Sequence, residues 1–193
     1  DAVNKAKDYV RDEIDIDVIE NTGIALFGYL RRATADAKIP VATQWIKDFI
    51  SKKKKPLLIW ADHQKVVDNM KQALNDIGIS YGVIDGSVSK KARNEVVKDF
   101  QRGDTDAVIL TKAGREGLTL TRASDALFVE RWLVPTWEEQ AEDRIYRIGQ
   151  KDEVNIYYLM MDDSTDVQIS DMIDKKRKSI QEAVGLERIE DSI

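Results

Sequence analysis

The stretch that decides the fold is PLLIWADHQKVVDNMKQALNDIGISYGVIDG, residues 56–86. Its first apolar run, Leu57 to Ala61, is short and β-rich and predicts a strand. The amphipathic segment His63 to Ile77 predicts a helix, and Gly78 suits the end of that helix because glycine enters the left-handed region without cost. A second β-rich run, Tyr81 to Asp85, follows. The stretch therefore predicts a strand, a helix and a second strand of a parallel sheet.

The same alternation continues along the chain. Three more β-rich runs are Ala107 to Thr111, Ala126 to Glu130 and Val154 to Met160, and two more amphipathic segments are Ser89 to Arg102 and Thr136 to Ile148. A capping box of Thr136 and Glu139 is expected at the start of the second of these helices. Apolar strands separated by helices indicate an α/β fold with an open, mostly parallel sheet and helices on both faces.

Helices are also predicted at both ends of the chain. Residues 1–55 have apolar side chains at helical spacing, with Pro40 expected in the first turn of a helix. The lysine run from Lys52 to Lys55 suits the C-terminal end of that helix, and a DNA-binding patch is the alternative. A last helix, Thr165 to Val184, is expected to begin with a capping box and to stop at Gly185. We expect three segments: a helical lead-in over 1–55, an α/β lobe over 56–163, and a C-terminal helix and tail over 164–193.

Composition limits the chemistry that is open to the chain. Its 193 residues, 42% of them hydrophobic and 34% charged, describe one folded domain with at most an appendage. Without cysteine there is no disulfide, no thiolate zinc site and no thiol nucleophile, and one histidine leaves little for a metal cluster. The net charge is -5, so any contact with nucleic acid must be local.

The chain carries no targeting pattern. No apolar run approaches the roughly 20 residues that span a bilayer, and the N-terminus resembles neither a signal peptide nor a transit peptide. We therefore expect an intracellular protein. Since the chain begins with Asp1 rather than methionine, we also expect it to be a fragment of a longer protein.

Ligands of an open parallel sheet bind at the carboxyl ends of its strands. The loops at those ends follow Ala61, Asp85, Thr111 and Glu130. In the third loop, Gly114 and Gly117 form a turn whose backbone N–H groups suit a phosphate, although an ordinary glycine turn is the alternative. The second loop, Asp85-Gly86-Ser87, is a similar strand end, for which a helix N-cap is the alternative.

The most informative side chains lie in QAEDRIYRIGQ, residues 140–150. Beside an apolar stripe, Gln140, Arg144 and Arg147 share one face at helical spacing. Two arginines held in this way can present planar forks to phosphate oxygens. The alternative is a plain surface helix in which Asp143 pairs with Arg147.

Together these segments resemble the second RecA-like lobe of a superfamily-2 DNA translocase of the SWI/SNF type. The segments that match in order are Asp62-His63-Gln64, Asp85-Gly86-Ser87, Thr111 to Leu120 and Gln140 to Gln150, the last of which resembles motif VI along its full length. Further likeness to the annealing-helicase branch lies in Leu118-Thr119-Leu120, Glu130, Pro135 and residues 34–40. The likeness covers residues 31 to 185.

The resemblance implies an ATP site that this lobe shares with a first lobe. Arg147 matches the arginine finger of motif VI, Arg144 matches its companion, and Gln140 matches the polar residue that leads the motif. Gly117 is placed with them among the ATP-binding residues. An arginine finger stabilises the charge that develops on the γ-phosphate, an effect worth ~10³ to 10⁵ in rate.

The resemblance also implies that the strand-end loops face DNA. The residues expected at the phosphate backbone are His63, Gly86, Ser87, Thr111, Lys112 and Arg115. Such contacts carry little sequence information, which suits a motor that tracks along DNA. The family has two consecutive glycines where this chain has Gly114-Arg115, so Arg115 either adds a phosphate contact or closes a backbone approach. Trp132 and Trp137, near the place of a family Trp-Asn-Pro, are interpreted as core residues.

The sequence contains neither a Gly-x-x-x-x-Gly-Lys-Ser/Thr loop nor an Asp-Glu pair after a strand. These elements hold the phosphates and the metal, so ATP and Mg²⁺ are expected only in the full-length protein, and no metal site is expected in this chain. We predict that the chain alone does not hydrolyse ATP. The expected partners are double-stranded or forked DNA and the N-terminal lobe, with no membrane contact, and the fragment is expected to be a monomer.

Two other hypotheses remain open. The chain could be a non-catalytic scaffold or regulatory module that keeps the fold without turnover. It could also be an RNA helicase lobe, against which the Gln-Ala-Glu-Asp-Arg form of motif VI argues.

Overall fold

The computed structural model describes residues 16–114, 117–146 and 149–184. Five strands form one sheet: β1 Leu57–Trp60, β2 Tyr81–Ile84, β3 Ala107–Leu110, β4 Asp125–Phe128 and β5 Asn155–Tyr158. Their order in the sheet is β2-β3-β1-β4-β5, and each of these pairings is parallel. The open parallel sheet that the alternating pattern predicts is confirmed.

Helices precede, connect and follow the strands. They are α1 Ile16–Lys53, α2 Gln64–Asp76, α3 Lys90–Arg102, α4 Pro135–Glu142 and α5 Thr165–Val184, with a short 3-10 turn at Lys112–Gly114. None of these helices combines the length and the apolar character that a membrane crossing requires.

The core lies on both faces of the sheet. Successive side chains of a strand point to opposite faces, and all four side chains of β1 are fully buried. Leu57 and Ile59 face the layer formed by α1 and α2, whereas Leu58 and Trp60 face the layer that contains α3 and α4. Covering both faces explains why the central strands β1 and β3 are apolar at every position.

Pro40 lies inside α1 and not in the first turn of a separate helix, so that expectation is wrong. A proline inside a helix removes one backbone hydrogen bond and costs about 3 kcal/mol. Packing offsets this cost, because Ala35 before Pro40 and Ala42 after it are both buried in the core. Tertiary contacts therefore carry the helix across the proline.

Helix α4 is shorter than the helix expected over Thr136 to Ile148. It ends at Glu142, and residues 143–145 form turns in which Ile145 N donates to the Glu142 carbonyl at 3.0 Å. The Ile145 side chain is fully buried and belongs to the core on the side of the sheet covered by α3 and α4.

The starts of two helices differ from the expected capping boxes. Val134 occupies the N-cap of α4 without a side-chain hydrogen bond, and Pro135 begins the helix with its fixed φ. At α5, Thr165 is already helical, and the hydroxyl that accepts from the backbone, Asp166 N at 3.1 Å, belongs to Ser164. Gly185, the expected stop of α5, lies outside the described residues.

Candidate functional site

The loops at the carboxyl edge of the sheet contain most of the residues that are expected to contact the DNA backbone. Asp62-His63 follows β1, Asp85-Gly86-Ser87 follows β2, and Thr111-Lys112 follows β3. Because β2, β3 and β1 are consecutive in the sheet, the three loops lie side by side. The candidates gathered at this edge are His63, Gly86, Ser87, Thr111 and Lys112, whereas Arg115 lies outside the described residues.

Asp62 is a buried carboxylate between two cations. Arg31 Nη2 lies 2.6 Å from its Oδ2, and Lys112 Nζ lies 2.7 Å from its Oδ1. Burial alone raises the pKa of this carboxyl, but the hydrogen bond from Lys112 and the charges of both cations outweigh burial, so the pKa lies below its ordinary value. Asp62 therefore ties α1 to the loop after β3.

Lys112 also contacts α4. Its ammonium lies over the ring of Trp137, 5.0 Å from the centroid, a distance at which cation and ring attract each other. The Lys112 side chain remains 39% exposed. It therefore joins the loop after β3 to α4 and still reaches solvent.

Glu130 orients the chain's only histidine. This buried carboxylate accepts from Asp62 N at 2.6 Å and from His63 N at 3.0 Å, and its other oxygen lies 2.5 Å from His63 Nδ1. The imidazole is held at a fixed angle with 21% of its side chain exposed. Glu130 follows β4, so this contact fastens the loop after β1 to the end of a neighbouring strand.

Asp85-Gly86-Ser87 forms a turn rather than a helix N-cap, so the alternative interpretation is wrong. Asp85 Oδ1 accepts from Ser87 N at 2.8 Å and from the Ser87 hydroxyl at 2.6 Å. The hydrogen bond from that hydroxyl lowers the pKa of Asp85. The cap of α3 is Ser89, whose hydroxyl accepts from Ala92 N at 3.2 Å. The turn leaves Gly86 and Ser87 exposed at the edge.

The loop after β3 turns sharply over the strand that precedes it. Gly114 N donates to the Thr111 carbonyl at 2.8 Å, and Ala113 N donates to the Thr111 hydroxyl at 3.3 Å. A Cβ on Gly114 would meet Leu110 Cδ2 at 2.5 Å, closer than such atoms approach. A side chain at 114 would therefore force the Leu110 side chain or the turn to shift.

The residues that are expected to bind ATP form a second group, near the end of α4. Arg144 Nε donates to the Gln140 carbonyl at 3.0 Å, and its Nη1 lies 3.5 Å from the carbonyl of Leu118, next to Gly117. Gln140 and Gly117 are exposed, and Gly117 has a φ of 70°, which favours glycine. Arg144 thus contacts the backbone of Gln140 and of Leu118, the neighbour of Gly117 in the chain. Arg147 lies outside the described residues.

Gln150 anchors the far end of the segment that contains Arg147. Its amide donates to the carbonyls of Thr121 at 3.2 Å and Ala123 at 2.7 Å. Its amide oxygen accepts from Lys151 N at 2.9 Å and from Asp152 N at 3.1 Å. One side chain therefore fixes residue 150 to the chain that leads into β4.

A buried ion pair holds α4 on the end of β4. Arg131 binds Glu138 through two hydrogen bonds, Nε to Oε1 at 2.9 Å and Nη2 to Oε2 at 2.8 Å. Burial alone would lower the pKa of Arg131, but the hydrogen bonds and the charge of Glu138 outweigh burial, so the pKa lies above its ordinary value.

Trp132 is fully buried and packs edge-on against Trp60 with centroids 5.4 Å apart, which confirms its interpretation as a core residue. Trp137 is partly buried and packs against the same core.

The sequence and the fold both match known proteins. The model of the helicase conserved C-terminal domain matches residues 41–149. The chain belongs to the helicase C-terminal domain family. This match spans β1 to β4 and α4, the elements that carry both groups of candidate residues.

Two relatives are similar to most of this helicase C-terminal domain. It is 34% identical over 152 residues to the SWI/SNF-related matrix-associated actin-dependent regulator of chromatin subfamily A-like protein 1 of Xenopus tropicalis, covering 78% of this chain and 16% of that protein. It is 34% identical over 157 residues to the human DNA annealing helicase and endonuclease ZRANB3, covering 80% of this chain and 15% of that protein. The chain thus spans about a sixth of the length of these relatives.

A solved structure shares the fold. The C-terminal part of the Fun30 ATPase domain superposes with a TM-score of 0.67 at 28% sequence identity, covering 70% of this chain and 44% of that one. The RecA-like α/β fold with a helical N-terminal segment is confirmed, as is the resemblance to SWI/SNF-type helicases.

Sequence reasoning did not predict the ion pairs and hydrogen bonds that hold the site together. Glu130 and Arg31 bind partners 68 and 31 positions away in the chain, and Glu138 binds Arg131, seven positions away. The signal available for Glu130 was a carboxylate at the end of an otherwise apolar strand. Among the residues that the structure describes, no cluster of three or more histidine or acidic side chains could hold a metal ion.

Proposed function

We propose that this helicase C-terminal domain is the second motor lobe of an ATP-dependent double-stranded DNA translocase that remodels or reanneals DNA. The observation that carries the proposal is the position of Lys112, which pairs with Asp62 among the strand-end loops and lies over Trp137 of α4. One side chain thus joins the candidate DNA residues to the helix that leads to the candidate nucleotide residues. A motor requires such coupling between DNA and ATP.

The nucleotide half of the proposal rests on the segment after α4. Arg144 contacts the backbone of Gln140 and of Leu118, next to Gly117, and these residues offer cationic and polar groups, which suit phosphate oxygens. Arg147 is proposed as the arginine finger and Arg144 as its companion. In the full-length protein the bound ATP and Mg²⁺ would supply the phosphoryl group and its counter-charge, held mainly by the first lobe. We expect the chain alone to lack ATP hydrolysis.

The DNA half rests on the carboxyl edge of the sheet. His63, Gly86, Ser87, Thr111 and Lys112, with Arg115 after them, would meet the phosphate backbone. The exposed residues Lys90 and Lys91 begin α3 directly after the turn at Ser87 and add positive charge there. This local charge would offset the net charge of -5, which repels DNA.

The names of two relatives support this proposal, and those names describe the relatives themselves. One is named a regulator of chromatin and the other a DNA annealing helicase. Their names favour DNA as a partner. We propose in addition that the DNA is double-stranded or forked, that an N-terminal lobe of the same protein is a second partner, and that the protein acts inside the cell. We also propose the division into a lead-in over 1–55, the lobe over 56–163 and a C-terminal segment over 164–193, since α1 ends at Lys53 and α5 begins at Thr165.

The test is DNA-stimulated ATP hydrolysis by the full-length protein, with wild type compared to Arg147→Ala on duplex and forked DNA. We expect duplex DNA to raise turnover and the substitution to abolish it while nucleotide binding persists. Lys151→Ala is the matched control, because it removes an exposed cation four positions along the chain. A full-length protein without turnover would favour the scaffold hypothesis, and preferential action on RNA duplexes would favour an RNA helicase.

A further inference from the structure

Arg93 joins two of the candidate DNA loops through their backbones. It lies in the first turn of α3 and is partly buried. Its Nε donates to the Val88 carbonyl at 3.0 Å, its Nη2 to the Asp85 carbonyl at 3.2 Å, and its Nη1 to the Ala113 carbonyl at 3.2 Å. The first two carbonyls belong to the loop after β2 and the third belongs to the loop after β3.

The three acceptors require a guanidinium. The planar head of arginine offers N–H donors in several fixed directions, so that each of three nitrogens can point at a different carbonyl. A lysine ammonium is a compact charge on a flexible stem and does not reproduce that fork. Replacing arginine would therefore leave carbonyls of at least one loop without their donor.

The loops that Arg93 joins carry four of the candidate DNA residues. Gly86 and Ser87 lie between the two carbonyls that Arg93 binds after β2, and Thr111 and Lys112 immediately precede Ala113. Strands β2 and β3 are paired in parallel up to Ile84 and Leu110, after which the sheet no longer fixes the spacing of the chains. Arg93 supplies a link beyond the last ladder pair.

We propose that Arg93 is a positioning residue for DNA binding: it sets the spacing between the loops after β2 and β3 so that both meet one phosphate backbone together. This inference rests on the proposed function, because it assigns a role to residues proposed to contact DNA. Arg93 acts through the carbonyls and not through its charge on a phosphate. Its charge-conserving variant is therefore the decisive one.

The experiment measures the affinity of the full-length protein for short duplex DNA by fluorescence anisotropy. Wild type is compared with Arg93→Lys, Arg93→Gln and a control, Arg102→Gln. Arg102 belongs to the same helix but is exposed, and it pairs with Asp99 and Asp104 at the surface. We expect both Arg93 variants to bind DNA roughly tenfold more weakly, the fold-change that corresponds to the loss of one or two hydrogen bonds, and Arg102→Gln to bind like wild type.

Hydrogen exchange of the same proteins separates positioning from general stability. We expect faster exchange at residues 85–88 and 111–114 in the Arg93 variants, with β1 and β3 as protected as in wild type. Loss of protection throughout the sheet in both variants would overturn the proposal, because Arg93 would then serve stability in general.

Two affinity outcomes overturn the inference while leaving the proposed function intact. If Arg93→Lys binds like wild type and Arg93→Gln does not, the charge of Arg93 is what matters. If both variants bind like wild type, the spacing of the loops does not depend on Arg93. If the wild-type protein itself fails to bind DNA, the proposed function and this inference fail together.

Discussion

At the scale of single residues, Lys112 controls the ionisation of Asp62. Lys112→Met removes the hydrogen bond that lowers the pKa of this buried carboxyl, so the pKa should rise. A depressed folded pKa gives stability that is present above the ordinary value and is lost as pH falls through the folded pKa. The contribution of Asp62 to stability should therefore be smaller in the variant than in wild type at neutral pH, and the variant should lose less of its stability as pH falls below about 5.

The pKa of Asp62 can be measured from the pH dependence of its carboxyl carbon resonance, and stability from urea unfolding at each pH. Lys65→Met is the control, because Lys65 also pairs with an aspartate but is 72% exposed. An Asp62 resonance that titrates identically in wild type and Lys112→Met would contradict the ion pair.

The Cβ position of Gly114 lies close to the Leu110 side chain. In Gly114→Ala the new methyl group meets Leu110 Cδ2 at 2.5 Å and Leu110 Cβ at 3.1 Å, so the buried Leu110 side chain or the turn must shift. We expect a loss of roughly 1–3 kcal/mol in the free energy of unfolding, the usual cost of overpacking. Gly86→Ala is the matched control, since nothing lies within 4 Å of its Cβ position. Equal unfolding midpoints for the two variants would refute this account.

At the scale of elements, a buried ion pair fastens α1 to α5. Lys38 Nζ lies 2.8 Å from Asp166 Oδ2 and donates to the Leu159 carbonyl at 2.9 Å, and both side chains are at most 5% exposed. Asp166→Asn leaves the ammonium buried without its counter-charge, so we expect a loss of roughly 3–5 kcal/mol in the free energy of unfolding. Lys52→Met, in the exposed pair with Asp48, should change it by less than about 1 kcal/mol.

Urea denaturation of the three proteins at neutral pH measures the difference. Burial lowers the pKa of Lys38, with Asp166 partly offsetting it. Between the folded pKa and the ordinary value of 10.5, the unfolded chain binds more protons, so the contribution of Lys38 to stability rises with pH in this window. The prediction fails if Asp166→Asn is no less stable than Lys52→Met.

The sequence predicted elements where local pattern decides them. The four apolar runs between Leu57 and Glu130 became strands because both faces of the sheet are covered. Ser89 and Gly103 mark the two ends of α3 because their local chemistry suits helix ends. It failed where distant contacts decide. Helix α1 continues through Pro40 because the core packs on both sides of it. Helix α4 ends at Glu142, after which hydrogen bonds between residues three apart form turns instead of a helix.

The same distinction holds for the site. The loops at the carboxyl edge followed from the strand order, which parallel sheets make predictable. The partners of those loops did not follow. Arg31 meets Asp62 and Glu130 meets His63 only after strands far apart in the chain have paired, and no local spacing encodes these contacts.

At the scale of the whole molecule, the contact between Lys112 and Trp137 should transmit DNA binding to the nucleotide site. Trp137→Leu keeps an apolar side chain on α4 but removes the ring face that attracts the ammonium. In the full-length protein, we expect this variant to retain basal ATP turnover and DNA affinity while the factor by which DNA stimulates turnover falls several-fold, as a coupling energy of about 1 kcal/mol implies.

The control for that prediction is Trp45→Leu. Trp45 is also partly buried in the domain, but it packs with Phe49 and Tyr157 on the layer formed by α1, away from α4. Loss of this ring should lower thermal stability and leave the stimulation factor unchanged. Coupling would reside elsewhere if Trp137→Leu and wild type were stimulated equally at saturating DNA. If both tryptophan variants lost stimulation in proportion to their unfolding midpoints, the loss would reflect stability and not coupling. The two variants are comparable in this way because the Trp137 ring contacts the lysine that pairs with Asp62, whereas Trp45 packs on the opposite layer.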